Sequence, residues 1–195
     1  MGRGGRNNER PPHSFQGHVI LTMQASFLLV SVLPVLLLSA AIFDVASYRI
    51  PNILPGAMLV LFLAFLLAMA LSGHAVGWSE ISGHLLAAGV GLIAGMIMFA
   101  LGWIGGGDAK LFAMTCLWLG WESMFDYAVS ASIAGGALTL FLLWMRRFPV
   151  PLSLQFPWVV RLTKPNGAIP YGVALSAAAL FILPGTQLFH LASAN

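Results

Sequence analysis

Only six acidic side chains occur in the 195 residues, so carboxylate chemistry has few places to happen. Asp44 closes a long apolar run in "AIFDVASYRIPN", and Asp108 opens another in "GWIGGGDAKLF". Two carboxylates close together in a site of limited hydration cannot both ionise readily, so the pair would hold one proton between them. The ionised member can draw a proton from a water attacking a carbonyl carbon, while the protonated member donates to the carbonyl oxygen. Each acid also has a plainer explanation as a polar helix end, and Asp108 as a charge favoured by a helix N-terminus. Against that stands the cost of an acid inside a membrane, which is usually borne for function. Gly105, Gly106 and Gly107 permit backbone geometries and close approach beside Asp108 that other residues forbid. In "RIPN" the residue before Pro51 is restricted and Pro51 has a fixed φ, so a helix can start cleanly at Asn52. Lys110 is either a group that tunes Asp108 or holds its loop, or an ordinary positive charge at a membrane edge.

The remaining candidates are weaker. Glu9 lies in a polar tail, and Glu80, Glu122 and Asp126 fall in connections where solvation explains them. Glu122 and Asp126, four apart, could share a helix face. Serines are present without a GxSxG elbow or a Ser/His/Asp set on one side. Cys116 is the only cysteine, so there is no CxxC pair, and packing is its expected role. His13, His18, His74, His84 and His190 show no HExxH or other ligand spacing. No metal site and no cofactor is expected from these residues.

The elements that must position Asp44 and Asp108 are apolar. The chain is 59% hydrophobic and 8% charged, far from the roughly one-quarter charged residues of a soluble domain. Continuous rather than alternating apolar runs argue against a β-barrel, and the expected class is an all-α polytopic membrane protein. Six segments can be drawn, at 19–43, 53–72, 83–103, 109–121, 126–145 and 169–190, the fourth short for a full span and the sixth interrupted at Pro184 and Gly185. The formal charge of +3 is scattered and gives no reason to expect nucleic acid. Its distribution reports orientation: Arg49, Lys110, Arg146, Arg147, Arg161 and Lys164 follow segments one, three and five, while the other connections carry no Lys or Arg. The positive-inside rule then puts the first set, and with it Asp44 and Asp108, at the cytoplasmic end of the bundle. Arg3, Arg6 and Arg10 in "MGRGGRNNERPPH" disagree, which suggests residues 1–22 as a mis-assigned tail before a start at Met23, with 23–195 as one membrane domain. Small residues recur at Gly83, Ala87, Gly91 and Gly95 and at Ala168, Gly172 and Ser176, as close helix packing in lipid requires. The proline-rich stretch 148–166 reads as irregular and interfacial, and Trp103, Tyr48 and Tyr171 as interfacial anchors.

Three stretches together resemble the type IV prepilin peptidases, membrane aspartyl proteases of the GxGD class. They are Asp44 with the downstream Ile50-Pro51-Asn52, the run from Gly105 to Lys110 that fits GxGD followed by x-K, and "IPYGVAL" at 169–175. The resemblance covers residues 25–190. It implies a GxGD-type bundle in a bacterial inner membrane, with Asp44 and Asp108 as the catalytic pair, Gly105 and Gly107 shaping the loop, and Lys110, Pro51 and Asn52 supporting it. The implied substrate is a prepilin, cut after a glycine between its basic leader and its hydrophobic helix, in association with pilus or secretion machinery. Larger members carry an insertion with paired CxxC motifs and methylate the new pilin N-terminus. Without that insertion, this chain resembles the small peptidase-only branch that serves Flp-type pili of tight-adherence systems. The residues taken alone also suit a small transporter or channel using Asp44 and Asp108 as proton or cation sites, or an inactive assembly factor. Nothing in the sequence sets the oligomeric state.

Overall fold

A computed structural model describes residues 13–71, 76–148, 156–165 and 167–193, with side chains over 28–191 of these. Residues 1–12, which hold most of the basic tail, lie outside the described residues, as do His74, Pro149 and Pro151. The chain is all-helical among the described residues: α1 (His13–Ser47), α2 (Ile53–Leu71), α3 (Trp78–Ala100), α4 (Gly106–Met145), α5 (Pro157–Thr163), α6 (Tyr171–Ile182) and α7 (Gln187–Ser193). A single 3-10 turn at Leu183–Gly185 joins the last two, where Pro184 removes a donor from the helix. Leu28–Ser47 of α1, together with α2, α3 and α4, is long and apolar enough to cross a membrane, and Tyr171–Gly185 is a shorter apolar helix.

The 40 residues of α4 are twice what one crossing needs, and they do not run straight. Gly120 has φ 77 and ψ 176, a combination essentially confined to glycine. The rings of Phe112 and Tyr127 stack with centroids 5.3 Å apart. In a straight helix those residues would be separated by about 22 Å along the axis. The helix therefore reverses at Gly120, and α4 is a hairpin of an N-arm (106–119) and a C-arm (121–145). The reversal was expected between 121 and 126; instead Glu122 and Asp126 sit on the first turns of the C-arm, where acids suit the helix dipole. The break leaves the Leu117 carbonyl without its regular partner, and buried His84 of α3 donates to it through Nδ1 at 2.8 Å.

Packing follows the small residues. A Cβ on Gly91 would lie 2.9 Å from Cys116 Sγ, and one on Gly95 would lie 3.0 Å from the Ala109 Cα. The α3 stripe is thus filled by the N-arm. On the arm's other side, Trp118 donates its indole N–H to the Met58 carbonyl of α2 at 3.0 Å and packs against Phe62 and Phe65. Leu63, Ile93, Ile133 and Leu140 point outward and exposed, as a lipid-facing surface does. Exposed Trp78 and Trp121 mark one end of the bundle, and exposed Trp103 and Trp144 the other. The stretch 148–166 is not wholly irregular, since Pro157 opens the short helix α5 from its first turn, where a missing N–H costs nothing.

Candidate active site

Asp44 sits on the last turn of α1. The helix stops because Tyr48 adopts φ 52, the left-handed conformation that ends many helices, with its N–H on the Asp44 carbonyl at 2.8 Å. Burial holds the Tyr48 phenol above its ordinary value, so it stays protonated and donates to the Arg161 carbonyl of α5 at 3.3 Å. Arg161 in turn donates to the Ala46 carbonyl. Arg146, at the end of the C-arm, donates to the carbonyls of Leu162 and Ala168 at 2.9 and 3.0 Å. These bonds pin α5 and the approach to α6 against the aspartate end of the bundle.

Asp108 sits on the first turn of α4. Its Oδ2 accepts from the N–H of Gly105, the residue that caps the helix, at 3.0 Å. Gly105 has φ −75, so no left-handed geometry is used there. The glycines act by size instead: a Cβ on Gly107 would lie 3.1 Å from Ile50 Cβ, and one on Gly105 would lie 3.1 Å from Asp108 Oδ2. Gly106 and Gly107 belong to the helix rather than to a turn before it.

The third contributor is Gly172 on α6. Its N–H donates to Asp44 Oδ2 at 2.6 Å. A Cβ there would lie 2.8 Å from both Asp44 Oδ2 and Ile50 Cδ1. Asp44 and Asp108 are 4% and 8% exposed. Asp108 Oδ1 is buried with no hydrogen-bond partner, an oxygen left over for a water or a substrate.

The structure thus brings Asp44, Asp108, Gly105 and Gly107 to one end of the bundle. Lys110 and Asn52 meet on its exposed rim, with Nζ donating to Oδ1 at 2.8 Å, while Pro51 lies half-buried between Ile50 and Asn52. Lys110 therefore binds Asn52, the residue just before α2, rather than Asp108. Glu122 is at the opposite end, accepting from Gln187 at 2.7 Å, and Glu80 there accepts from the Gly77 N–H at 3.3 Å; Asp126 is exposed. A cavity of about 680 Å³ at that end, around His84 and Gly120, is remote from both buried aspartates. Among the described residues no group of His, Cys, Asp and Glu is arranged to hold a metal ion.

Sequence reasoning missed Ile50 and Gly172 as site residues, although both lie in quoted stretches. Ile50 is a buried apolar residue in a polar connection, which was a usable signal. Gly172 signalled only close packing, in the stripe with Ala168 and Ser176, and nothing in the sequence pointed its backbone N–H at a residue 128 positions away.

No curated protein and no solved structure matches the chain. The family model described as the type IV leader peptidase family matches residues 31–140, more than half of the chain and a span that contains both buried aspartates. The chain is therefore a membrane peptidase that belongs to the type IV leader peptidase family.

Proposed function

We propose that this protein is a membrane-embedded aspartic endopeptidase that removes the basic leader of Flp-type prepilins, cutting after a glycine at the cytoplasmic face of a bacterial inner membrane. The observation that carries the reading is the pair of buried carboxyls from separate helices at one end of the bundle, each held by a glycine N–H, with Asp108 Oδ1 unpartnered. Gly172 and Gly105 each occupy one carboxyl oxygen and hold the pair in place. The protonated carboxyl donates to the scissile carbonyl oxygen, and the ionised one takes a proton from the attacking water. The resulting tetrahedral diol collapses as that proton passes to the leaving nitrogen, the C–N bond breaks, and a leader carboxylate and a pilin amine separate. Water is the nucleophile, so no covalent enzyme intermediate and no cofactor is required. The reading is of a peptidase without methyl transfer: Tyr48–Asn52 is all that joins α1 to α2, and the chain has one cysteine and no CxxC pair.

Co-expression with a prepilin from the same genome tests this, read as pilin mobility on a gel. Wild type is expected to process the pilin, and Asp44→Asn and Asp108→Asn are each expected to abolish processing. Processing that survives either substitution would overturn the dyad, and none by wild type would overturn the assignment.

A further inference from the structure

A lateral groove of about 650 Å³ runs between α3, the C-arm of α4 and α6. Its floor on the C-arm consists of Ala128, Ala131, Ser132, Gly135 and Gly136, and it extends from Met124 to Leu140. That is about 24 Å of helix, most of a bilayer core of roughly 30 Å. The small residues of α3 are consumed by packing on the N-arm, and Ala131 and Gly135 of the C-arm are buried, Gly135 facing Tyr171 and Ala174 of α6, which leaves Ser132 and Gly136 open. A Cβ on Gly136 would meet nothing within 4 Å, and Ser132 is exposed. The hydroxyls of Ser132 and Thr139 each bond back to their own helix, to the Ala128 and Gly135 carbonyls at 2.7 Å. The floor is therefore smooth and apolar, with both of its hydroxyls turned back onto their own helix, which suits an apolar helix.

One end of the groove borders the candidate active site. Ile104, on its wall, adjoins Gly105, which holds Asp108. Phe112, also on its wall, lies one turn from Asp108 on the same helix face. Tyr171 adjoins Gly172, which holds Asp44. We infer that this groove is the docking site for the apolar helix of the substrate, seated along the C-arm so that the bond preceding the helix reaches Asp44 and Asp108. The inference rests on the proposed leader-peptidase function and adds where the enzyme reads the part of the substrate that it does not cut. Seating an apolar helix at the carboxyls, rather than reading the leader alone, would let a single protease select membrane-inserted substrates.

The test compares kcat/KM for a full-length prepilin with that for a short soluble peptide spanning the same bond but lacking the helix. Gly136→Leu and Ser132→Leu fill the floor without meeting the protein's own core, and Ile133→Phe adds bulk to the lipid face, where Ile133 is 68% exposed. Both floor variants are expected to lower the ratio of the two kcat/KM values about tenfold or more, the scale of a central interface contact. The lipid-face variant should leave the ratio where it was. Ser132→Cys is expected to crosslink to a cysteine placed in the prepilin helix. An unchanged ratio in both floor variants, an equal fall with Ile133→Phe, or a crosslink only to a second copy of the enzyme would overturn the proposal. Wild type that cleaves neither substrate would sink the peptidase reading instead, and the docking site with it.

Discussion

At the scale of single residues, the site depends on what glycine leaves out. Gly172 has room for a hydrogen and for nothing larger, since Asp44 Oδ2 and Ile50 Cδ1 both stand 2.8 Å from where a Cβ would be. Gly172→Ala is expected to push the Asp44 carboxyl off its N–H and to lower kcat at least tenfold, with a much smaller change in KM, because the displaced group acts on the reacting bond. Steady-state cleavage in detergent checks this, and a variant that alters KM alone would argue against a positioning role. The Lys110–Asn52 bond makes a different prediction. It is exposed, so its own contribution is about 0.5–1.5 kcal/mol, but it joins the first turn of α4 to the start of α2 on either side of Ile50. Lys110→Met and Asn52→Ala should each lower kcat/KM several-fold, and the double variant should be no worse than the poorer single one. Additive losses would mean that the two residues act apart. The two aspartates stand out in the sequence because charge in an apolar run is conspicuous, and the fold buries both. A backbone N–H whose partner lies on another helix leaves no such mark.

At the scale of elements, the hairpin in α4 decides where the site can be. A straight helix of 40 residues would carry Arg146 far from Asp108, whereas the reversal at Gly120 returns the C-arm to the aspartate end, where Arg146 clamps the approach to α6. Gly120→Ala meets two obstacles. Its φ of 77 with ψ 176 is strained for alanine, and its Cβ would fall 2.8 Å from His84 Cε1. The strain alone is worth about 1–3 kcal/mol. The variant is expected to show a lower thermal midpoint in detergent. His84→Ala alone should also lower the midpoint, because it strands the Leu117 carbonyl, and the double variant should lose less than the two single losses added, since the clash is gone. Strictly additive losses would mean that the clash contributes nothing. Here the segmentation was legible but the turn was not. Glu122 and Asp126 look like a loop in one dimension, yet one glycine reverses the chain and lets both acids stay on the exposed start of the next helix. Ile50 has the converse character: it reads as part of a short connection and serves as the spacer against which Gly107 and Gly172 both pack.

At the scale of the whole molecule, charge is sorted between two ends. Arg49, Lys110, Arg146, Arg147, Arg161 and Lys164 lie with the aspartates, while Glu80 and Glu122 lie at the hairpin end, which carries no Lys or Arg among the described residues. This asymmetry was plain in the sequence because it needs only the order of the segments, and the fold keeps it because each apolar rod, the two arms of α4 included, carries the chain from one end to the other. By the positive-inside rule this sorting matches the orientation that the proposed function needs, with the aspartates and any leader they cut on the cytoplasmic side. Single-cysteine labelling measures this directly. Cys116 is buried and should stay silent to a membrane-impermeant maleimide, so new cysteines report alone. Ser79→Cys and Glu122→Cys are expected to label in intact cells, and Arg49→Cys and Lys164→Cys only after the membrane is opened. The reverse pattern would put the aspartates on the outer face, where a leader retained in the cytoplasm could never meet them. It would overturn the proposed substrate even if purified enzyme cut the peptide.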